Sequence, residues 1–122
     1  MIPTEKEVER AVVRLYRSVG LTVWSLSQGY RPGGKRHGTT RQTKGIADLF
    51  VTGRGHALWH ETKRPGGTQR PEQATFEAAA VSCGLPYALG GLGAACEALR
   101  HVWGIQAGPI PLVPPDRLSR PS

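Results

Sequence analysis

Two apolar runs, "IADLFV" (46–51) and "HALWHETK" (56–63), flank the four residues "TGRG", and no other feature constrains the fold as much. Each run is rich in β-favouring residues and too short for an ordinary helix, and a glycine-containing tetrapeptide joins them. The pattern reads as a β-hairpin. Strand side chains alternate between faces, so Trp59, Glu61 and Lys63 share one. The register then decides where Asp48 stands. Pairing Val51 with His56 sets Asp48 opposite Trp59, with Glu61 as its diagonal neighbour. Pairing Val51 with Leu58 sets Asp48 directly opposite Glu61. Both registers place the two carboxylates on one face, with β-carbons roughly 5–8 Å apart. The intermediate register splits them between faces.

Two carboxylates that close repel each other and are costly to desolvate. A hard divalent cation such as Mg²⁺ relieves both problems, because it takes oxygen ligands and keeps several waters. Lys63, on the same face, would then orient a water or stabilise charge developing on a phosphate. The ordinary alternative is that Glu61 and Lys63 face solvent and Asp48 caps a turn.

Around the hairpin, "TEKEVERAVVRLYRSVG" reads as an amphipathic helix. Thr4 and Glu7 form a capping-box pattern, Val8, Val12, Leu15 and Val19 fall on one face, and Gly20 stops it. "LTVWSL" reads as a strand. Residues 29–45 form a basic, glycine-rich loop. A second helix starts at Pro71 and runs to Gly84, followed by a strand in "LPYAL" and a third helix in "GAACEALRHVW" ending at Gly104. The order α-β-β-β-α-β-α predicts an α/β domain, a mixed sheet flanked by helices, over residues 1–108. Residues 109–122 hold half of the ten prolines and read as an extended tail.

The chain has 122 residues and a net charge of +7. Between Arg10 and Ala47 it carries no acidic residue. One-sided charge of this kind marks a polyanion partner, nucleic acid before membrane surface, and twelve arginines against four lysines suit forked phosphate contacts. No apolar run approaches the roughly 18–20 residues of a membrane span, and the charged start lacks the apolar middle of a secretory signal. Cys83 and Cys96 make no metal-type spacing and read as reduced, packed cysteines, which suits a cytoplasmic setting. His60 faces away from Glu61 and reads as an ordinary core or surface histidine. The glycine runs "RPGGKRHG" and "LGGLG" match no phosphate-binding or dinucleotide loop.

The stretch "GIADLFV…HALWHETKRPGGTQRPEQATF" resembles the core of the virus-type replication-repair nuclease (VRR-NUC) domain, a branch of the PD-(D/E)xK nucleases with a restriction-endonuclease-like sheet. The resemblance spans about residues 4–103. It implies Mg²⁺ or Mn²⁺ held by Asp48, Glu61 and a glutamate of the first helix, often with the backbone carbonyl of Thr62. It also implies Lys63 as catalytic lysine and Gln73 as the glutamine of the motif. Ala47 stands where the family often has proline, at a position that is not itself a ligand. Glu5, Glu7 and Glu9 are all candidates for the helical glutamate. Glu9 is preferred because it flanks the core beside Val8, whereas Glu7 is committed to the capping box.

The expected activity is a metal-dependent DNA endonuclease. Arg31, Lys35, Arg36, Arg41 and Lys44, with Arg64 and Arg70, would grip backbone phosphates, contacts that position DNA without reading its sequence. Small phage-type members resemble Holliday-junction resolvases, which points to branched DNA, a homodimer, and action in a prokaryotic or phage-infected cytoplasm. A flap- or linear-DNA nuclease of the same superfamily and a binding module without catalysis are the alternatives.

Overall fold

In the computed structural model, residues 2–26 and 44–121 are described. Helix α1 spans Glu5–Ser18 and is closed at its start by the expected capping box. Glu7 N–H donates to Thr4 Oγ1 at 3.1 Å, and Thr4 N–H to Glu7 Oε1 at 2.8 Å. Five strands follow among the described residues: β1 (Thr22–Ser25), β2 (Leu49–Gly53), β3 (His56–Thr62), β4 (Tyr87–Gly90) and β5 (Arg117–Ser119). They form one sheet in the order β1-β2-β3-β4-β5. β3 and β4 run parallel and the other pairs antiparallel. A parallel pair needs a crossover, and helix α2 (Pro71–Ser82) supplies it. Helix α3 (Leu92–Ala98) widens into a π-helical turn, Leu99–Trp103, before Gly104 ends it in a left-handed conformation.

The mixed sheet flanked by helices and the order α-β-β-β-α-β-α are therefore as expected. Two features differ. The predicted third helix is α-helical only in its first half. Its π turn leaves Trp103 Nε1 donating to the Gly53 carbonyl at 2.8 Å. After residue 108, β5 pairs with β4, a strand too short and too charged to stand out in the sequence. Asp116 helps seat it by accepting the Gly91 N–H at 2.9 Å.

The strand period sorts the core into two layers. Val23, Leu49, Val51, Leu58 and Ala88 pack beneath Val8, Val12 and Tyr16 of α1 and Ala94, Ala95 and Ala98 of α3. Fully burying a valine or leucine stabilises by roughly 1.5–3 kcal/mol, so this layer holds the domain together. On the other face Ala47, Tyr87 and Leu89 pack with Trp59 and with Phe76 and Val81 of α2. His60 lies in the first layer, fully buried, between the Tyr16 hydroxyl at 2.7 Å and the Gly90 carbonyl at 3.0 Å. Burial pushes its imidazole down to about 4, so it is a neutral core residue, as expected. No helix of the described residues is long and apolar enough to cross a membrane.

Candidate metal centre

The hairpin turn settles the register. Gly53 pairs with His56, leaving Arg54 and Gly55 as a two-residue loop with φ of 51° and 81°. Two successive positive φ angles make a type I′ turn, whose twist matches the strands it joins. Val51 therefore pairs with Leu58, the second of the two registers that unite the carboxylates. Continued past Leu49–His60, this pairing sets Asp48 opposite Glu61.

The third carboxylate comes from α1. Glu5, Asp48 and Glu61 each bring an oxygen to within 4.8 Å of the others. Glu5 is exposed, Asp48 half-buried and Glu61 only 1% exposed. Glu9, the sequence-based choice, is outside this group. It lies four residues, about 6 Å of rise, further along α1. The first turn of the helix, where Glu5 sits, is the part that reaches the ends of β2 and β3. The capping box places Glu5 at the first helical position, but nothing local to the helix says which of its turns meets these strands.

Neighbouring residues orient each acid. Thr62 donates twice to Asp48 Oδ2, from its backbone N–H at 3.1 Å and its hydroxyl at 2.7 Å. The resemblance implied a role for the Thr62 carbonyl, and its donor role went unforeseen. Gln73 Nε2 donates to Glu61 Oε2 at 2.8 Å, while Gln73 Oε1 accepts the Arg70 N–H at 2.9 Å. The start of α2 thus aims Gln73 at Glu61. Lys63 Nζ lies 3.8 Å from the same Oε2 and is nearly buried.

Glu61 Oε1 is buried without a hydrogen-bond partner among the described residues. Leaving such an oxygen unsatisfied is costly, and more so when it carries charge. Burial, then the charge of Asp48, push the Glu61 carboxyl up to about 8; Lys63 opposes this and Glu5 adds to it. An oxygen-only donor set with one buried oxygen unpartnered fits a hard divalent cation of the Mg²⁺ or Mn²⁺ type.

The three acids and Gln73 open into a cleft of about 450 Å³ whose walls include Lys44, Arg70 and Leu26. Lys44 and Arg70 are thus brought to the site, whereas Arg64 is exposed outside the cleft lining. Arg31, Lys35, Arg36 and Arg41 lie outside the described residues. Gly45 explains the glycine three residues before Asp48. Its φ is +87°, and a β-carbon there would fall on the Glu72 carbonyl. Glycine alone lets this strand entry lie against the first turn of α2.

No protein-family model matches the chain, and neither curated proteins nor solved structures return a match. The fold and the cluster stand on their own geometry: a small mixed sheet flanked by helices, with Glu5, Asp48 and Glu61 close enough together that they could hold a divalent cation.

Proposed function

We propose that this protein is a metal-dependent endonuclease that hydrolyses phosphodiester bonds in DNA. Glu5, Asp48 and Glu61 would hold one or two Mg²⁺ or Mn²⁺ ions. When bound, such an ion supplies Lewis-acid charge for a phosphoryl oxygen and lowers the pKa of water. The reaction adds water across one P–O ester bond, giving a phosphomonoester and an alcohol. Lys63 places a fixed positive charge beside Glu61, where phosphate charge grows as the bond breaks. Gln73 keeps the Glu61 carboxylate aimed. Lys44 and Arg70 meet the flanking phosphates at the cleft wall.

The observation that carries this reading is the buried, unpartnered Glu61 Oε1 within reach of Asp48 and Glu5. A solvated acidic surface would leave no buried oxygen unsatisfied. The resemblance to VRR-NUC domains adds branched DNA as the substrate. Each chain offers one carboxylate cluster among its described residues, so two symmetric cuts in a four-way junction call for a twofold homodimer.

The test is cleavage of four-way, flapped and linear duplex DNA with Mg²⁺, with Mn²⁺ and with EDTA. Metal-dependent cutting that Asp48→Asn or Lys63→Ala abolishes, with DNA binding kept within a few-fold, is the expected result. Cutting by either variant at the wild-type rate removes that residue from the chemistry. Binding without cleavage under every condition leaves a non-catalytic module.

A further inference from the structure

An aromatic row begins one strand repeat away from the carboxylates, on the same sheet face. Trp24 of β1 pairs with Phe50 of β2, and Phe50 with Trp59 of β3. Their strand neighbours Val23, Leu49, Val51 and Leu58 fill the α1–α3 layer, so these three rings point to the opposite face. The Phe50 and Trp59 rings lie 4.4 Å apart between centroids, and Phe76 of α2 meets Trp59 edge-on at 5.0 Å. α2 thus covers the Trp59 end of the row. Phe50 is half-buried, and Trp24 at the outer end is 55% exposed. A hydrogen bond from Trp24 Nε1 to Thr52 Oγ1 at 3.1 Å tethers the indole to the sheet.

A single exposed apolar side chain is ordinary on a protein surface. This one is continuous with the cleft. Leu26, two residues beyond Trp24, is part of the cleft wall, and its N–H donates to the Asp48 carbonyl at 2.7 Å. Phe50 stands two residues, about 7 Å, from Asp48 along β2. The patch is small: one open indole and one half-buried ring fall well short of the roughly 1,000 Å² that a stable protein interface covers. Its size suits one planar base, and a chain of net charge +7 draws nucleic acid to it.

We propose that Trp24 and Phe50 form a stacking platform for an unpaired base of the DNA strand whose phosphate enters the carboxylate cleft. The proposal rests on the nuclease reading and specifies its substrate class. A base inside a duplex must be unpaired to lie on this face, whereas a base in a flap, a frayed end or an open junction is already available. Every base has a π-face, so the platform selects strand state and not sequence.

The test measures DNA binding in EDTA, where no cleavage occurs. Trp24→Ala should weaken binding of a single-stranded or flapped oligonucleotide by roughly 5- to 150-fold and change blunt-duplex affinity by less than about twofold, the range for losing one base–aromatic stack. Trp24→Phe should keep most of the affinity. Single-stranded DNA should quench the wild-type tryptophan emission, and the quench should be largely lost in Trp24→Phe. Equal losses on single strand and duplex, unchanged single-strand affinity in Trp24→Ala, or no wild-type quench would overturn the platform. A changed mass by light scattering with unchanged DNA affinity would assign the patch to a second copy and overturn it too. The two readings fail separately: the full Trp24 effect in EDTA, in a wild-type protein that cuts no DNA with Mg²⁺ or Mn²⁺, upholds the platform while the catalytic reading fails.

Discussion

Thr62 holds Asp48 by both of its donors, backbone N–H and hydroxyl, on the single oxygen Oδ2. Two hydrogen bonds on one oxygen fix how the carboxylate is turned toward Glu5 and Glu61. Thr62→Val keeps the shape and removes the hydroxyl. The expected result is about tenfold to hundredfold weaker Mg²⁺ or Mn²⁺ binding by calorimetry, as for other lost partners of metal ligands. Folding stability should fall by only about 1 kcal/mol. Unchanged cation affinity would show that Thr62 does not aim a ligand.

The pH dependence of stability in EDTA has a defined sign. Glu61 titrates at about 8 in the folded chain, against 4.5 for the unconstrained group, through burial first and Asp48 second. Between these values the folded state holds a proton that the unfolded state has lost, so stability falls as pH rises. Thermal or urea unfolding should show a decline on the order of a few kcal/mol between about pH 4.5 and 8. Glu61→Gln should flatten that decline. Glu77 acts oppositely and in a lower window. Burial pushes its carboxyl up, but hydrogen bonds from Arg117, Ser119 and Gln69 outweigh this and hold it below the usual range. Its stabilisation is present above pH 4.5 and disappears as pH falls through the lowered value.

Gly45→Ala tests the contact between the entry to β2 and α2. The residue has φ of +87°, and an added β-carbon would strike the Glu72 backbone. A loss of roughly 2 kcal/mol or more is expected from the strain and the clash together, with weaker cation binding because Asp48 follows three residues later. A neutral substitution would mean that this backbone approach is not needed.

The hairpin and the Asp48–Glu61 pair were legible in the sequence because a two-residue period and a glycine-bearing turn are local signals. The shared-face requirement left two registers, and the two-residue turn chose between them. Glu5 was one of three candidate glutamates but could not be singled out over Glu9, because the choice depends on where α1 crosses the sheet. That crossing is fixed by distant packing, such as Val8 against Gly91, where a β-carbon would lie 3.1 Å from the valine. β5 was hidden for a related reason: "RLS" has no apolar period of its own. It is held instead by Glu77, which accepts from Arg117 and from Ser119 Oγ.

Glu77→Leu should therefore release β5. The lost part-buried, charge-assisted hydrogen bonds are expected to cost about 1–3 kcal/mol. The Ala88 to Gly91 amides would exchange with deuterium faster, while those of β2 would not. Equal protection of β4 in both proteins would mean that β5 is held by other contacts.

The type I′ turn at Arg54 and Gly55 gives the carboxylate cluster a distant dependent. The hairpin tip is about 20 Å from Glu61 at the usual strand rise, and it touches none of the three acids. Yet strand pairing counts in twos, so the tip acts on β3 much as a reading frame acts on a message. One residue inserted or removed there, if β3 slid against β2 to keep the turn closed, would exchange the faces of every β3 side chain. Glu61 would turn under α1, and His60 would turn toward the cleft.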